Sequence, residues 1–125
     1  MSKKHTMTQD KYIPEMYRMV DAMDTPGFVN LFTADGIFRW ANMEPVAGKE
    51  NITAFLTGFF QSIKAISHTD LEYWQVPGVR FATGNVNYTR RDNSLLRVPF
   101  SVILKFKGDL INEFLIFVDT SELYK

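Results

Sequence analysis

Leu95-Leu96-Arg97-Val98-Pro99-Phe100-Ser101-Val102-Ile103-Leu104-Lys105-Phe106-Lys107 alternates along most of its length. Leu96, Val98, Phe100, Val102, Leu104 and Phe106 share one parity, and Arg97, Pro99, Ser101, Ile103 and Lys105 share the other. Successive side chains of a strand point to opposite faces, so this pattern predicts a long strand with one apolar face. Residues 68–76, 79–90 and 110–121 read as strands too. Pro77-Gly78, Arg91 to Ser94 and Gly108-Asp109 separate the four segments and suit hairpin connections. An antiparallel meander follows, and strands this long must twist and curl.

Upstream of the meander the periodicity changes. Tyr12, Met16, Met19, Val20 and Met23 fall at helical spacing, with Pro14 tolerated only in the first turn. Thr25 and Pro26 form a second helix start, and Phe28, Leu31 and Phe32 give that short helix an apolar face. Asp35-Gly36 predicts a turn, followed by a short strand at Ile37-Phe38-Arg39-Trp40. After Pro45 and Gly48, a longer helix is expected from about Lys49 to Ile66, with Ile52, Phe55, Leu56, Phe59, Ile63 and Ile66 in one stripe. Helices first and a meander afterwards predict an α+β domain over residues 11–125, preceded by a flexible tail at residues 1–10. Helices across the concave face of a curled sheet leave room for an apolar pocket.

Composition limits the chemistry. Fourteen basic residues balance fourteen acidic ones, and no basic stripe exists to engage nucleic acid. Cysteine is absent and His5 and His68 are the only histidines, which excludes thiolate chemistry and a multi-histidine metal site. No segment has the length of a membrane span, and the polar start of the chain makes the cytoplasm the expected location. In the last strand Leu115 and Phe117 face opposite to Phe114, Ile116 and Val118, so both sheet faces carry apolar residues. One face can cover the helices while the other pairs with a second copy, and a homodimer through the sheet is expected.

Leu31-Phe32-Thr33-Ala34-Asp35-Gly36-Ile37-Phe38, Val46-Ala47-Gly48-Lys49-Glu50-Asn51-Ile52 and Phe117-Val118-Asp119-Thr120-Ser121, taken in this element order, resemble the nuclear transport factor 2-like superfamily. The nearest branch is the SnoaL-like one, and the resemblance runs from about Lys11 to the C-terminus. It implies an α+β cone, cystatin-like in class, with N-terminal helices packed on a curved antiparallel sheet. The superfamily includes ketosteroid isomerases, scytalone dehydratase, limonene epoxide hydrolase, SnoaL-type polyketide cyclases and members that only bind or associate, so fold does not fix function.

Site residues are carried over one at a time. The isomerase tyrosine, base and acid positions fall on Met19, Trp40 and Ser101, which removes all three isomerase groups. Scytalone dehydratase carries a histidine that opens the strand after the long helix, where His68 stands, and an aspartate between the first helices, where Asp24 stands. Its first-strand tyrosine corresponds to Trp40. Limonene epoxide hydrolase uses an arginine and two aspartates, but Arg90 and Asp92 belong to an expected hairpin tip. His68 can titrate near neutral pH and is the first candidate for acid–base work, against an ordinary hydrogen-bonded histidine at a strand start. Asp24 either orients an imidazole or caps the second helix with Thr25. Asp119 either acts as a base on the concave side with Glu113, Leu115 and Phe117, or binds backbone amides where the strand ends.

Tyr17, Trp40, Phe59, Trp74, Tyr88 and Phe117 should converge on the concave side, with Ser101 and Leu115 beside them. Most such aromatics fill cores, but they also wall sites for flat ligands. The expectation is an enzyme that uses no metal or organic cofactor. It would act by acid–base chemistry on a small apolar cyclic or polyketide-like molecule, with His68, Asp24 and Asp119 as catalytic candidates. Tyr17, Trp40, Phe59, Tyr88, Ser101, Leu115 and Phe117 are the substrate-binding candidates. A non-catalytic binding protein and a dimeric association module of the same fold are the alternatives.

Overall fold

In the computed structural model, which describes residues 11–125, the long alternating segment forms the centre of a six-stranded sheet. The elements are α1 (Tyr12–Asp21), α2 (Thr25–Val29), β1 (Phe32–Trp40), β2 (Val46–Ala47), α3 (Lys49–Gln61), β3 (Ala65–Val76), β4 (Val79–Thr89), β5 (Leu95–Lys107) and β6 (Leu110–Val118). The strand order is β2-β1-β6-β5-β4-β3. The expected meander is β3 to β6, paired antiparallel throughout. The sheet as a whole is not purely antiparallel, because β1 joins the far side of β6 in parallel. The expected segment 68–76 also gains three residues at its start, since Ala65, Ile66 and Ser67 pair with Thr89, Tyr88 and Asn87.

Several local expectations change. The first helix ends at Asp21 rather than Met23, the second ends at Val29 so that Phe32 opens β1, and the last strand ends at Val118 rather than residue 121. The long helix stops at Gln61 rather than Ile66, and Ile63 and Ile66 become core residues of a turn and of β3. Asp35-Gly36 does not end a turn but lies within β1, where the register against β6 shifts between Phe32 and Ile37. Gly36 is required by close packing: a Cβ there would lie 2.9 Å from the Phe32 ring and 3.3 Å from the Ile111 carbonyl oxygen.

Register decides which side of the sheet is covered. Phe100 lies opposite Val118, Val102 opposite Ile116 and Leu104 opposite Phe114, and each cross-strand pair shares a face. These residues turn toward the helices. Phe28 of α2, Phe32 and Phe38 of β1 and Phe114 of β6 meet there as one aromatic cluster, with ring centroids 5.3–6.5 Å apart. α1 adds Ile13, Met16 and Tyr17, and α3 adds Ile52, Leu56 and Phe60. No helix among the described residues is long and apolar enough to cross a membrane.

The opposite parity faces away from the helices. Ser101 lies opposite Phe117 and Ile103 opposite Leu115, with Phe81 and Trp74 continuing the row. Phe117 is 51% exposed and Trp74 55% exposed. The expectation that Ser101, Leu115, Phe117 and Trp74 face the pocket is therefore corrected: all four are on the outer face. Both parities of β6 are apolar, so composition could not choose between them, and the pairing with β5 does.

Candidate functional site

Between the helices and the inner face lies a cavity of about 60 Å³. Its wall takes Tyr17 and Val20 from α1, Trp40 from β1, Phe59 from α3, and His68 and Tyr88 from β3 and β4. The wall is mostly apolar, and among the described residues its only side chains with polar atoms are His68, Tyr17, Tyr88 and Trp40. Among the substrate-binding candidates, Tyr17, Trp40, Phe59 and Tyr88 are brought together here.

His68 is held on three sides. Its ring stacks on Tyr17 with centroids 4.1 Å apart at 26°, and the edge of Phe100 meets it at 5.2 Å. Its Nδ1 lies 2.6 Å from Asp21 Oδ1, and its backbone N–H donates to Asp21 Oδ2 at 3.0 Å. The His68 side chain is only 8% exposed. A carboxylate can only accept a hydrogen bond, so Nδ1 carries the proton in this pair. Neutral His68 is then the Nδ1–H tautomer, and Nε2 keeps its lone pair.

Sequence reasoning missed Asp21, because the expected helix ran on to Met23 and Asp24 drew the attention. The signal was present as the spacing of Ile13, Tyr17 and Asp21, four residues apart on one face of α1. Ile13 and Tyr17 are buried, so that face points inward and carries Asp21 with it. As the last residue of α1, Asp21 sits where the helix abuts the start of β3.

The other two carboxylates are elsewhere. Asp24 is exposed and caps α2, accepting from the Gly27 N–H at 3.0 Å. Asp119 is exposed beyond β6, and its Oδ1 accepts from the Ser121 N–H at 3.0 Å. Hydrogen bonds from Ser121 hold its carboxyl below the usual range. Neither lies in the cavity wall, and for both the local backbone explains the residue.

Burial pushes the Tyr17 phenol well above its ordinary pKa, and the negative charge of Asp21 and the neighbouring Tyr88 add to the shift. Burial does the same to Tyr88, aided by Tyr124. Both phenols therefore remain O–H donors throughout the neutral range. Among the described residues, no group of three or more histidine, aspartate or glutamate side chains gathers where a metal ion could sit.

The structure is similar to several crystallised proteins of low sequence identity. A candidate polyketide cyclase from Xanthomonas campestris pv. campestris superposes with a TM-score of 0.82 at 11% identity, covering 89% of this chain and 90% of that one. A nuclear transport factor 2-like protein of unknown function from Burkholderia pseudomallei K96243 gives 0.81 at 16% identity, with 89% and 90% covered. A protein with a ketosteroid isomerase-like fold from Catenulispora acidiphila DSM 44928, crystallised with trimethylamine, gives 0.77 at 15%, with 84% and 82% covered. At these identities the likeness establishes the fold, an α+β cone. No curated protein matches the sequence. The family model for the SnoaL-like domain matches residues 13–114, most of the chain, and the protein belongs to that family.

Proposed function

We propose that the protein is a cofactor-independent acid–base enzyme of small apolar carbonyl compounds, cyclic or polyketide-like in type. The observation that carries this reading is His68 in the cavity wall, backed by Asp21 with 2.6 Å between Oδ1 and Nδ1. With Nδ1–H committed to Asp21, Nε2 is the group free to take a proton from a carbon next to a carbonyl. The C–H electron pair then moves to the carbonyl oxygen, which a Tyr17 or Tyr88 phenol stabilises by donating a hydrogen bond. Return of the proton from Nε2 to a different carbon of a conjugated substrate completes an isomerisation. Alternatively the enolate carbon attacks a second carbonyl carbon, whose π pair moves to its oxygen and takes the proton from Nε2 as the new carbon–carbon bond forms. Neither step calls for a metal or an organic cofactor. The proposed setting is the cytoplasm.

Deuterium exchange tests the first step without knowing the substrate. In D₂O, the native protein should accelerate loss of the methyl proton signals of acetone, and His68→Gln should lose most of that acceleration, roughly 10²-fold or more. Equal rates for the two proteins would end the acid–base reading. The predominantly apolar wall favours the second reading, a binding protein that does no chemistry. That reading requires saturable ligand uptake with no exchange.

The same proposal includes a homodimer through the outer sheet face. Trp74, Val76 and Phe117 are each more than half exposed there, and Phe81 is 37% exposed. Charge repulsion opposes association little in a chain of zero formal net charge. Sedimentation should show a dimer for the native chain and a monomer for Phe117→Lys, and an unchanged mass would refute this assembly.

A further inference from the structure

Trp40, Phe55 and Phe59 wall two cavities at once. Behind them is the space of about 60 Å³ that reaches His68. In front is a groove of about 480 Å³ between α3 and the turn after β1, with Met43, Gly58 and Tyr124 on its walls. The partition is a single aromatic layer. The Trp40 and Phe59 rings meet edge-on at 4.2 Å and 81°, and Trp40 meets Phe55 at 5.7 Å and 89°. Phe59 reaches Tyr88 on the inner side at 6.2 Å.

The two volumes impose a division on any ligand. An apolar cavity of roughly 150 Å³ holds one benzene ring, so a ring cannot lie behind Trp40 as the wall stands. The outer groove is within the range of roughly 300–1,000 Å³ typical of sites for whole organic molecules. Trp40, Phe55, Phe59, Tyr124 and Met43 supply aromatic and thioether surface among small neighbours such as Ala54 and Gly58, and such surface suits a flat, polarisable ring system. At Gly58 the face of α3 is bare: a Cβ there would meet nothing within 4 Å. The groove's polar side chains are Asn42, Thr120, Ser62 and Tyr124, the last two hydrogen-bonded to each other at 2.7 Å.

We infer that the groove outside Trp40 and Phe59 is the second compartment of the binding site. It holds the fused-ring or aryl body of a two-part ligand whose small carbonyl end passes the aromatic layer toward His68. This rests on the acid–base reading for the identity of the inner end, while the outer compartment stands on its own walls. Trp40 and Phe59 are then the residues that set how much of the ligand can approach the imidazole.

Gly58→Leu tests the inference, because it fills the groove from an exposed helical position and leaves the inner wall in place. Helix propensity favours the change, so the variant should fold. Calorimetric titration with 2-acetylnaphthalene should give saturable binding to the native protein and binding roughly tenfold or more weaker to Gly58→Leu. Acetone exchange should be the same in both. Unchanged naphthyl binding in Gly58→Leu, or none in the native protein, would overturn the inference. So would equal losses for acetone and the naphthyl ketone, or dissociation of a dimer by Gly58→Leu, which would assign the groove to a second copy. Selective loss of naphthyl binding in a protein that never exchanges acetone would support the groove and refute only the acid–base chemistry.

Discussion

Asp21→Asn should leave the protein folded and reduce ketone exchange roughly 10²- to 10⁴-fold, within the range lost when a positioned general base is disabled. The carboxylate now accepts from two donors of one residue, the backbone N–H and Nδ1–H of His68. An asparagine in the same rotamer keeps its carbonyl oxygen for one of these donors and presents an NH₂ group to the other. If the amide oxygen keeps the backbone N–H, the NH₂ faces Nδ1 and donates to its lone pair. The ring proton then moves to Nε2, and the lone pair that should take the substrate proton is gone. The shape is nearly unchanged, so stability should fall by no more than about 1–2 kcal/mol, the usual cost of an altered hydrogen bond. Exchange rates and chemical denaturation measured together separate the two effects. Exchange that survives Asp21→Asn intact would show that Asp21 is only a tether for β3.

Phe114→Ala should be the most damaging single truncation of the core, costing about 3–5 kcal/mol. Phe114 is 1% exposed and takes part in three ring contacts that bind different elements together. It stacks on Phe38 of β1 at 5.4 Å and 18°, meets Phe28 of α2 edge-on at 5.3 Å, and lies 5.9 Å from Phe32. Removing it opens a void where the parallel β1–β6 pairing, α2 and the cavity floor come together. Domains of this size are stable by only about 5–15 kcal/mol, so the variant should unfold at a much lower urea concentration than the native chain. Phe117→Ala, one strand position from Val118 on the exposed face, should cost far less in the isolated protomer. Equal losses for the two would contradict the assignment of β6 faces.

Those faces mark the boundary of what the sequence could determine. The period-two pattern of β5 was strong enough to locate the strand to the residue, because its two parities differ in polarity. β6 has Phe114, Ile116 and Val118 on one parity and Leu115 and Phe117 on the other, so its pattern carries no sign. Only register resolves it, and register includes a shift between Lys105 and Phe106 that no local rule announces. The parallel pairing of β1 was hidden for a related reason: strand partners far apart in sequence leave no mark on either segment alone. Residues 1–10, expected to be a flexible tail, lie outside the described residues.

The site was legible by halves. His68 stood out because histidine is rare here and its titration range is useful. Tyr17, Trp40, Phe59 and Tyr88 followed from the expectation of a covered concave face. Asp21 did not, because an aspartate at a helix end has many uses and its partner is 47 residues away. Asp24 and Asp119 were the more conspicuous carboxylates, and each satisfies nearby backbone instead. Resemblance to relatives led to Ser101 through a family position whose side chain here points to the outer face.

The Asp21–His68 arrangement is decided by the tautomer of His68. Long-range nitrogen–proton correlation NMR on [¹⁵N]histidine-labelled protein distinguishes the two neutral forms, and a His5→Gln variant leaves His68 as the only histidine signal. Neutral His68 should be protonated on Nδ1, with Nε2 showing the shift of an unprotonated nitrogen, and Asp21→Asn should reverse the two. A neutral His68 protonated on Nε2 in the native protein would leave no base facing the substrate and would rule out the proposed chemistry.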